Sequence, residues 1–200
     1  TDSIDHLLFH IPYPRMIEYA SAAIFRQDWK NSSRWRDVEA EIGPEPEAGN
    51  YDDPESYQHD LASYVRSFAR SRQFLEAYNA RVIDSAALSR SIGNIYTGSI
   101  YLGLASLLEL QKLRAHERLC FGAYGSGCSA LVFSARVSSE FSSVPSRGLF
   151  ERLEKRREIS LEEYELLHEG VRKESLIQPS GEFALTEIDH QGYRHYEYMN

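Results

Sequence analysis

The sequence predicts an α/β fold, and three observations carry that prediction. Short apolar runs of strand character and longer segments of helical periodicity follow one another along the chain. Hydrophobic residues make up 42% and aromatic residues 12% of the 200 positions, enough apolar side chain for one substantial core. No repeat of solenoid length and no low-complexity segment breaks the alternation. Residues 1–200 are therefore read as one domain.

Ile4 to Phe9 reads as a short buried strand. Pro12 and Pro14 end it, because proline fixes φ and biases its predecessor away from helix. Met16, Ala20, Ala23 and Ile24 recur at helical spacing and predict a helix over 15–29 that buries those four, with Pro14 at its entrance. Residues 30–85 are read as a helical insertion. Within it, 43–54 is acidic, carries Pro44, Pro46 and Pro54, and predicts an exposed loop. Leu61, Tyr64, Val65, Phe68, Phe74, Leu75 and Tyr78 then predict one long or two short helices. A further short helix starts near Ser85, with Asp84 or Ser85 as its cap.

Ile100 to Leu110 is almost continuously apolar, as in a helix buried over most of its surface. Leu119 to Tyr124 and Ala130 to Val137 read as a buried hairpin around a glycine turn. Ser160-Leu161-Glu162-Glu163 has the form of a capping box and opens a helix to about His168. Phe183 to Ile188 and Tyr193 to Tyr198 read as closing strands.

Bulk properties narrow the function. A net charge of −8 offers no basic stripe to a phosphate backbone, which argues against a nucleic-acid partner. Two cysteines, Cys120 and Cys128, are too few for a disulfide framework and read as reduced thiols, with Cys128 taken as an ordinary buried cysteine. No apolar run approaches the roughly 20 residues of a membrane span, and the start lacks the features of a secretory signal, so no membrane partner and a cytoplasmic location are expected. The chain begins at Thr1 with strand-like sequence following almost at once, which reads as an amino end that was cut or that continues from an upstream segment.

Three segments carry chemistry. His10 sits at a strand end beside a Pro-x-Pro turn, where its ring is held and can offer a proton or hydrogen bond to a carbonyl oxygen. A lone histidine is more often structural, and the residues alone leave both readings open. Arg15, at the expected helix start, has the fork geometry for a phosphate, or is a solvated surface arginine. Gly93-Asn94-Ile95-Tyr96-Thr97-Gly98-Ser99 precedes an apolar helix, where free N–H groups can meet a ligand oxygen. The alternative is a plain helix entry with Asn94 as turn residue and Thr97 as cap. Tyr124-Gly125-Ser126-Gly127 lets backbone amides approach a ligand because glycine has no Cβ. It lacks the first glycine of an esterase elbow, so Ser126 is not read as a hydrolase nucleophile. The seven histidines show no metal-ligand spacing.

Taken in order, Phe9-His10-Ile11-Pro12-Tyr13-Pro14-Arg15-Met16, residues 92–109 and Phe121 to Gly127 resemble the carboxy-terminal half of 3-hydroxy-3-methylglutaryl-CoA synthase, a condensing enzyme of the thiolase superfamily. The resemblance implies a thiolase-like layered α/β sandwich, of which this chain supplies the second half of a duplicated fold. It implies condensation of acetyl-CoA with acetoacetyl-CoA, a step of isoprenoid supply through mevalonate, with the thioesters as substrates and no further cofactor or metal. The nucleophilic cysteine and the acid/base glutamate are expected in an N-terminal half, the two halves acting together in a homodimer.

By the same resemblance His10 matches the histidine that polarises the acceptor ketone. Asn94 matches the amide that meets the acyl thioester, with Tyr96 beside it, and Gly125 and Ser126 line the same pocket. Arg15 stands where a lysine usually meets CoA phosphates. A second basic position is Tyr19 here, so the contact is expected to be weaker or to come from elsewhere, for example Arg26. Related enzymes install β-branches on carrier-protein-bound acceptors, and Tyr19 would suit one of them; the CoA enzyme is preferred. A non-catalytic thiolase-like subunit is a further alternative, against which His10 in a matching Phe-His-x-Pro-Tyr context speaks.

Overall fold

The computed structural model describes residues 3–125, 127–172 and 174–200, in two compact units, Thr1–Lys155 and Arg156–Asn200. The first unit is built on a three-stranded sheet with helices on both faces. Strand β1 (His6–Phe9) is buried along its whole length. Helices α1 (Pro14–Trp29), α2 (Arg34–Ile42), α3 (Pro54–Phe68), α4 (Arg72–Arg81), α5 (Ile83–Ile92) and α6 (Gly98–Glu109) follow, and the chain then forms β2 (Arg118–Tyr124) and β3 (Ala130–Arg136) before a short helix α7 (Leu149–Glu154). β1 runs parallel to β2, pairing Phe9 with Gly122, and β2 pairs antiparallel with β3. A parallel pair needs a long crossover, and α1 to α6 supply it.

The alternation of β1 divides the core. Leu7 and Phe9 join Ile17, Phe25, Trp29, Val38, Phe68 and Phe74 in the larger cluster on one face; Leu8 joins Ile100, Leu107, Leu119 and Phe121 on the other. A strand buried on both faces has no place for a polar alternation, which accounts for the apolar run that marks β1 in the sequence. The larger cluster is aromatic at its centre. The Trp29 ring stacks on Phe25 at 5.3 Å and meets Phe68 edge-on at 5.7 Å, within the range in which aromatic pairs add to simple burial.

Serines lock the helices to the sheet. The buried Ser85 hydroxyl lies 2.8 Å from the carbonyls of both Leu7 and Val82, joining α5 to β1, and Ser106 donates to the Asp84 carbonyl, joining α6 to α5. Gly103 permits the last approach, since a Cβ there would lie 3.2 Å from the Ser85 carbonyl oxygen. On the outer side of α1, Glu45 accepts hydrogen bonds from Arg26 Nε at 3.0 Å and Lys30 Nζ at 2.7 Å. Burial alone would raise the Glu45 pKa, but the hydrogen bonds and charges of Arg26 and Lys30 outweigh it and hold the carboxyl below its usual range.

The second unit has helix α8 (Leu161–His168) and an antiparallel hairpin of β4 (Glu182–Ile188) and β5 (Arg194–Met199). The capping box at Ser160 and Glu163 is formed in full, each side chain bonding the other's backbone N–H.

Several expectations need correction. The buried face of α1 is Ile17, Ser21, Ala22, Phe25 and Trp29, not the row through Met16 and Ala20; Ala23 and Ile24 are exposed. α1 carries apolar residues all round, and the row bearing the large aromatic rings buries more surface. α5 begins after Val82 with no side-chain cap, because the Ser85 hydroxyl is taken up by the Leu7 and Val82 carbonyls. The 43–54 loop is not uniformly exposed, since Glu45 is drawn into the Arg26–Lys30 pair. α6 is buried or half-buried as expected except at Tyr101, which is 63% exposed. β3 is exposed at every residue, so the hairpin is buried through β2 alone, and Cys128 is exposed.

Candidate functional site

His10 follows the last residue of β1, and its own N–H extends the ladder by donating to the Gly122 carbonyl at 2.8 Å. Pro12, two positions on, has no N–H to give, and Pro14 opens α1. The chain therefore leaves the sheet at Ile11, whose N–H is taken by the Ser99 hydroxyl at 3.2 Å. The same hydroxyl lies 2.6 Å from His10 Nδ1 and 2.8 Å from the Tyr96 carbonyl oxygen. Ser99 is fully buried in the first turn of α6, 89 residues from His10 in sequence.

The His10 ring opens on a cavity of about 670 Å³, within the usual range for small-molecule sites. Asn94, Tyr96, Tyr124 and Gly125 line the same cavity, and Met16, Ile100, Leu131 and Phe133 give it apolar walls. Tyr124, at the end of β2, meets His10 edge-to-face at 5.5 Å. Its hydroxyl is buried with no hydrogen-bond partner among the described residues, and burial, with a smaller contribution from Tyr13, pushes its pKa up to about 12. It stays a protonated donor at any physiological pH.

Asn94 occupies the turn before α6. Its side-chain oxygen accepts from the Tyr96 N–H at 2.8 Å, an Asx turn that supports Tyr96 at φ 53°. The turn-residue reading of Asn94 is thus met. Thr97 stands at the cap position but is helical in backbone and makes no side-chain cap bond.

His10, Asn94, Tyr96 and Gly125 therefore come together. Arg15 is exposed in the first turn of α1 and is not part of the cavity wall. Ser126 lies outside the described residues. Arg26 is paired with Glu45 and does not line the cavity. Sequence reasoning did not single out Ser99 or Tyr124, although both fall within the two glycine motifs. No local signal marks a first-turn serine as the partner of a histidine 89 residues away. Among the described residues no group of three or more His, Cys, Asp or Glu side chains is arranged to hold a metal. No helix among them is long and apolar enough to cross a membrane.

Comparison with known proteins bears on this arrangement. The family model described as hydroxymethylglutaryl-coenzyme A synthase C terminal matches residues 1–198. Hydroxymethylglutaryl-CoA synthase of Haloferax volcanii is 27% identical over 99% of this chain and 47% of its own length. Hydroxymethylglutaryl-CoA synthase A of Dictyostelium discoideum is 28% identical over 98% of this chain and 42% of its own. The chain thus spans about half the length of these relatives or somewhat less. The solved structure of MvaS in complex with 3-hydroxy-3-methylglutaryl coenzyme A is 28% identical, covering all of this chain and 42% of that one, with a TM-score of 0.61. The α/β architecture is accordingly the thiolase-like one of those synthases, and the chain belongs to the hydroxymethylglutaryl-coenzyme A synthase C-terminal family.

Proposed function

We propose that this chain forms the acceptor side of a hydroxymethylglutaryl-CoA synthase active site, condensing acetyl-CoA with acetoacetyl-CoA once joined to an N-terminal half. One observation carries the reading. An imidazole, a carboxamide and a glycine backbone, from segments far apart in sequence, line one open cavity with apolar walls. Such a cavity suits a short acyl thioester, whose carbonyl oxygens need donors and whose carbon chain does not.

In the proposed reaction a cysteine of the N-terminal half is acylated by acetyl-CoA, releasing CoA. A glutamate there removes a proton from the acetyl methyl, and the carbanion attacks the ketone carbon of acetoacetyl-CoA. The ketone π pair moves onto oxygen, where His10 donates a hydrogen bond to the developing charge and then a proton. Water then cleaves the thioester that joins the condensed product to the cysteine, which leaves as the thiol and frees 3-hydroxy-3-methylglutaryl-CoA. Asn94 holds the thioester carbonyl, and Arg15 meets CoA phosphates outside the cavity, with Tyr19, 48% exposed one turn further, adding no charge. A dimer, a role in isoprenoid supply and a cytoplasmic setting belong to the same proposal.

In the assembled enzyme, His10→Ala should lower condensation about 100- to 1,000-fold, the loss typical of removing one preorganised donor to an oxyanion. Turnover within a few-fold of wild type would remove His10 from the chemistry and leave a binding or assembly role.

A further inference from the structure

We infer that Ser99 is a positioning residue that fixes His10 as the Nδ1–H form, leaving Nε2 as the ring nitrogen that serves the cavity. The protons at the Ser99 oxygen can be counted. Three short contacts meet at the Ser99 oxygen: Ile11 N at 3.2 Å, the Tyr96 carbonyl oxygen at 2.8 Å and His10 Nδ1 at 2.6 Å. Each needs one hydrogen between its heavy atoms. Ile11 brings its own N–H. The carbonyl oxygen brings none; the Ser99 N–H also reaches it, at 3.0 Å, but two oxygens 2.8 Å apart repel each other unless the serine proton lies between them. The hydroxyl has no second proton, and the contact to His10 is made only if Nδ1 carries one. The serine oxygen then accepts twice and donates once, its full capacity.

Burial makes the assignment firm. Ser99 is fully buried, so no solvent enters to relieve a bare contact between its hydroxyl oxygen and the Tyr96 carbonyl oxygen. The carbonyl it serves belongs to Tyr96, the left-handed residue of the Asn94 turn, and the N–H it serves belongs to the first residue beyond the β1–β2 ladder. One hydroxyl thereby ties the His10 ring, the strand end and the Asn94 loop into a fixed relation.

The catalytic consequence rests on the function proposed above. With Nδ1–H committed to Ser99, neutral His10 shows the cavity a lone pair at Nε2 and cannot donate there. The form that polarises the acceptor carbonyl is then the imidazolium, with Nε2–H toward the substrate and Nδ1–H still on Ser99.

The test is nitrogen NMR of the 200-residue chain with labelled histidine, at a pH where the ring is neutral. Long-range ¹⁵N–¹H correlations separate a protonated ring nitrogen from a bare one, and His10→Gln identifies the His10 signals among the seven histidines. Wild type should show Nδ1 protonated and Nε2 bare, the reverse of the form that free histidine prefers. Ser99→Ala should make the Nε2–H form the major one. A wild-type spectrum with Nε2 protonated overturns the inference, and needs no variant to fold; so does a Ser99→Ala spectrum with the tautomer unchanged. The readout requires no turnover, so it separates from the proposed function. Unchanged condensation in His10→Ala with the Nδ1–H form observed would sink the function and leave the positioning intact.

Discussion

Replacing Phe68 with alanine probes the larger core at the point where most of its helices meet. Phe68 ends α3 with no exposure, and its ring lies 5.7 Å from Trp29 of α1, 6.1 Å from Trp35 of α2 and 5.7 Å from Phe74 of α4. Truncation of a buried phenylalanine costs about 3–5 kcal/mol, depending on how far the surroundings collapse into the space. Here three large rings on three different helices bound the hole, and none can fill it without moving its helix, so a cost near the middle of that range, about 4 kcal/mol, is expected. Against a total of about 5–15 kcal/mol this is a large fraction. Leu75→Ala is the control. Leu75 belongs to the same apolar pattern in sequence but is 43% exposed, and its loss should cost only about 1 kcal/mol. Equilibrium unfolding in urea, followed by tryptophan fluorescence, reads both from the midpoint at constant slope. If Phe68→Ala costs no more than Leu75→Ala, the packing described for the larger core is wrong.

Two further perturbations follow from the same structure. Glu45→Gln should destabilise the chain by about 2 kcal/mol at neutral pH, since Arg26 and Lys30 lose a charged acceptor. The Glu45 carboxyl is held below the usual carboxylate range, so its contribution is present above that range and fades as pH falls through the folded-state value. Denaturation curves of wild type and variant should therefore converge in acid, and a gap independent of pH would contradict the pairing. Gly122→Ala would set a Cβ 3.0 Å from Phe9 Cδ1 and 3.2 Å from Cε1, forcing the Phe9 ring to shift. A stability loss of about 1–3 kcal/mol is expected, with weaker condensation in the assembled enzyme because His10 follows Phe9 and its N–H donates to Gly122. A variant with neither loss would show that the strand end does not set the position of His10.

Much of the scaffold was legible because single residues impose it locally. Pro12 and Pro14 end β1 and begin α1, Ser160 and Glu163 cap α8, and the apolar run of β1 matches a strand buried on both faces. The pairing of His10 with the Asn94 loop came from order and resemblance, not from any periodicity. What escaped is what tertiary contact decides. The helical period of α1 fits two rows, and only the partners Phe68 and Phe74 select the one holding Phe25 and Trp29. Ser21 and Ser85 look like surface or capping residues in sequence, yet both are buried because their hydroxyls are satisfied by backbone carbonyls. β3 has the composition of a covered strand, but among the described residues nothing buries it. α2 went unseen because only Trp35 and Val38 of its nine residues are buried.

His10 is expected to act on the acceptor carbonyl and to have no part in loading the acetyl group, so the two half-reactions should separate. In the assembled enzyme, His10→Ala given labelled acetyl-CoA alone should still acquire covalent label, while condensation on adding acetoacetyl-CoA falls about 100-fold or more. Condensation at the wild-type rate, or loss of labelling together with condensation, would contradict the role assigned to His10.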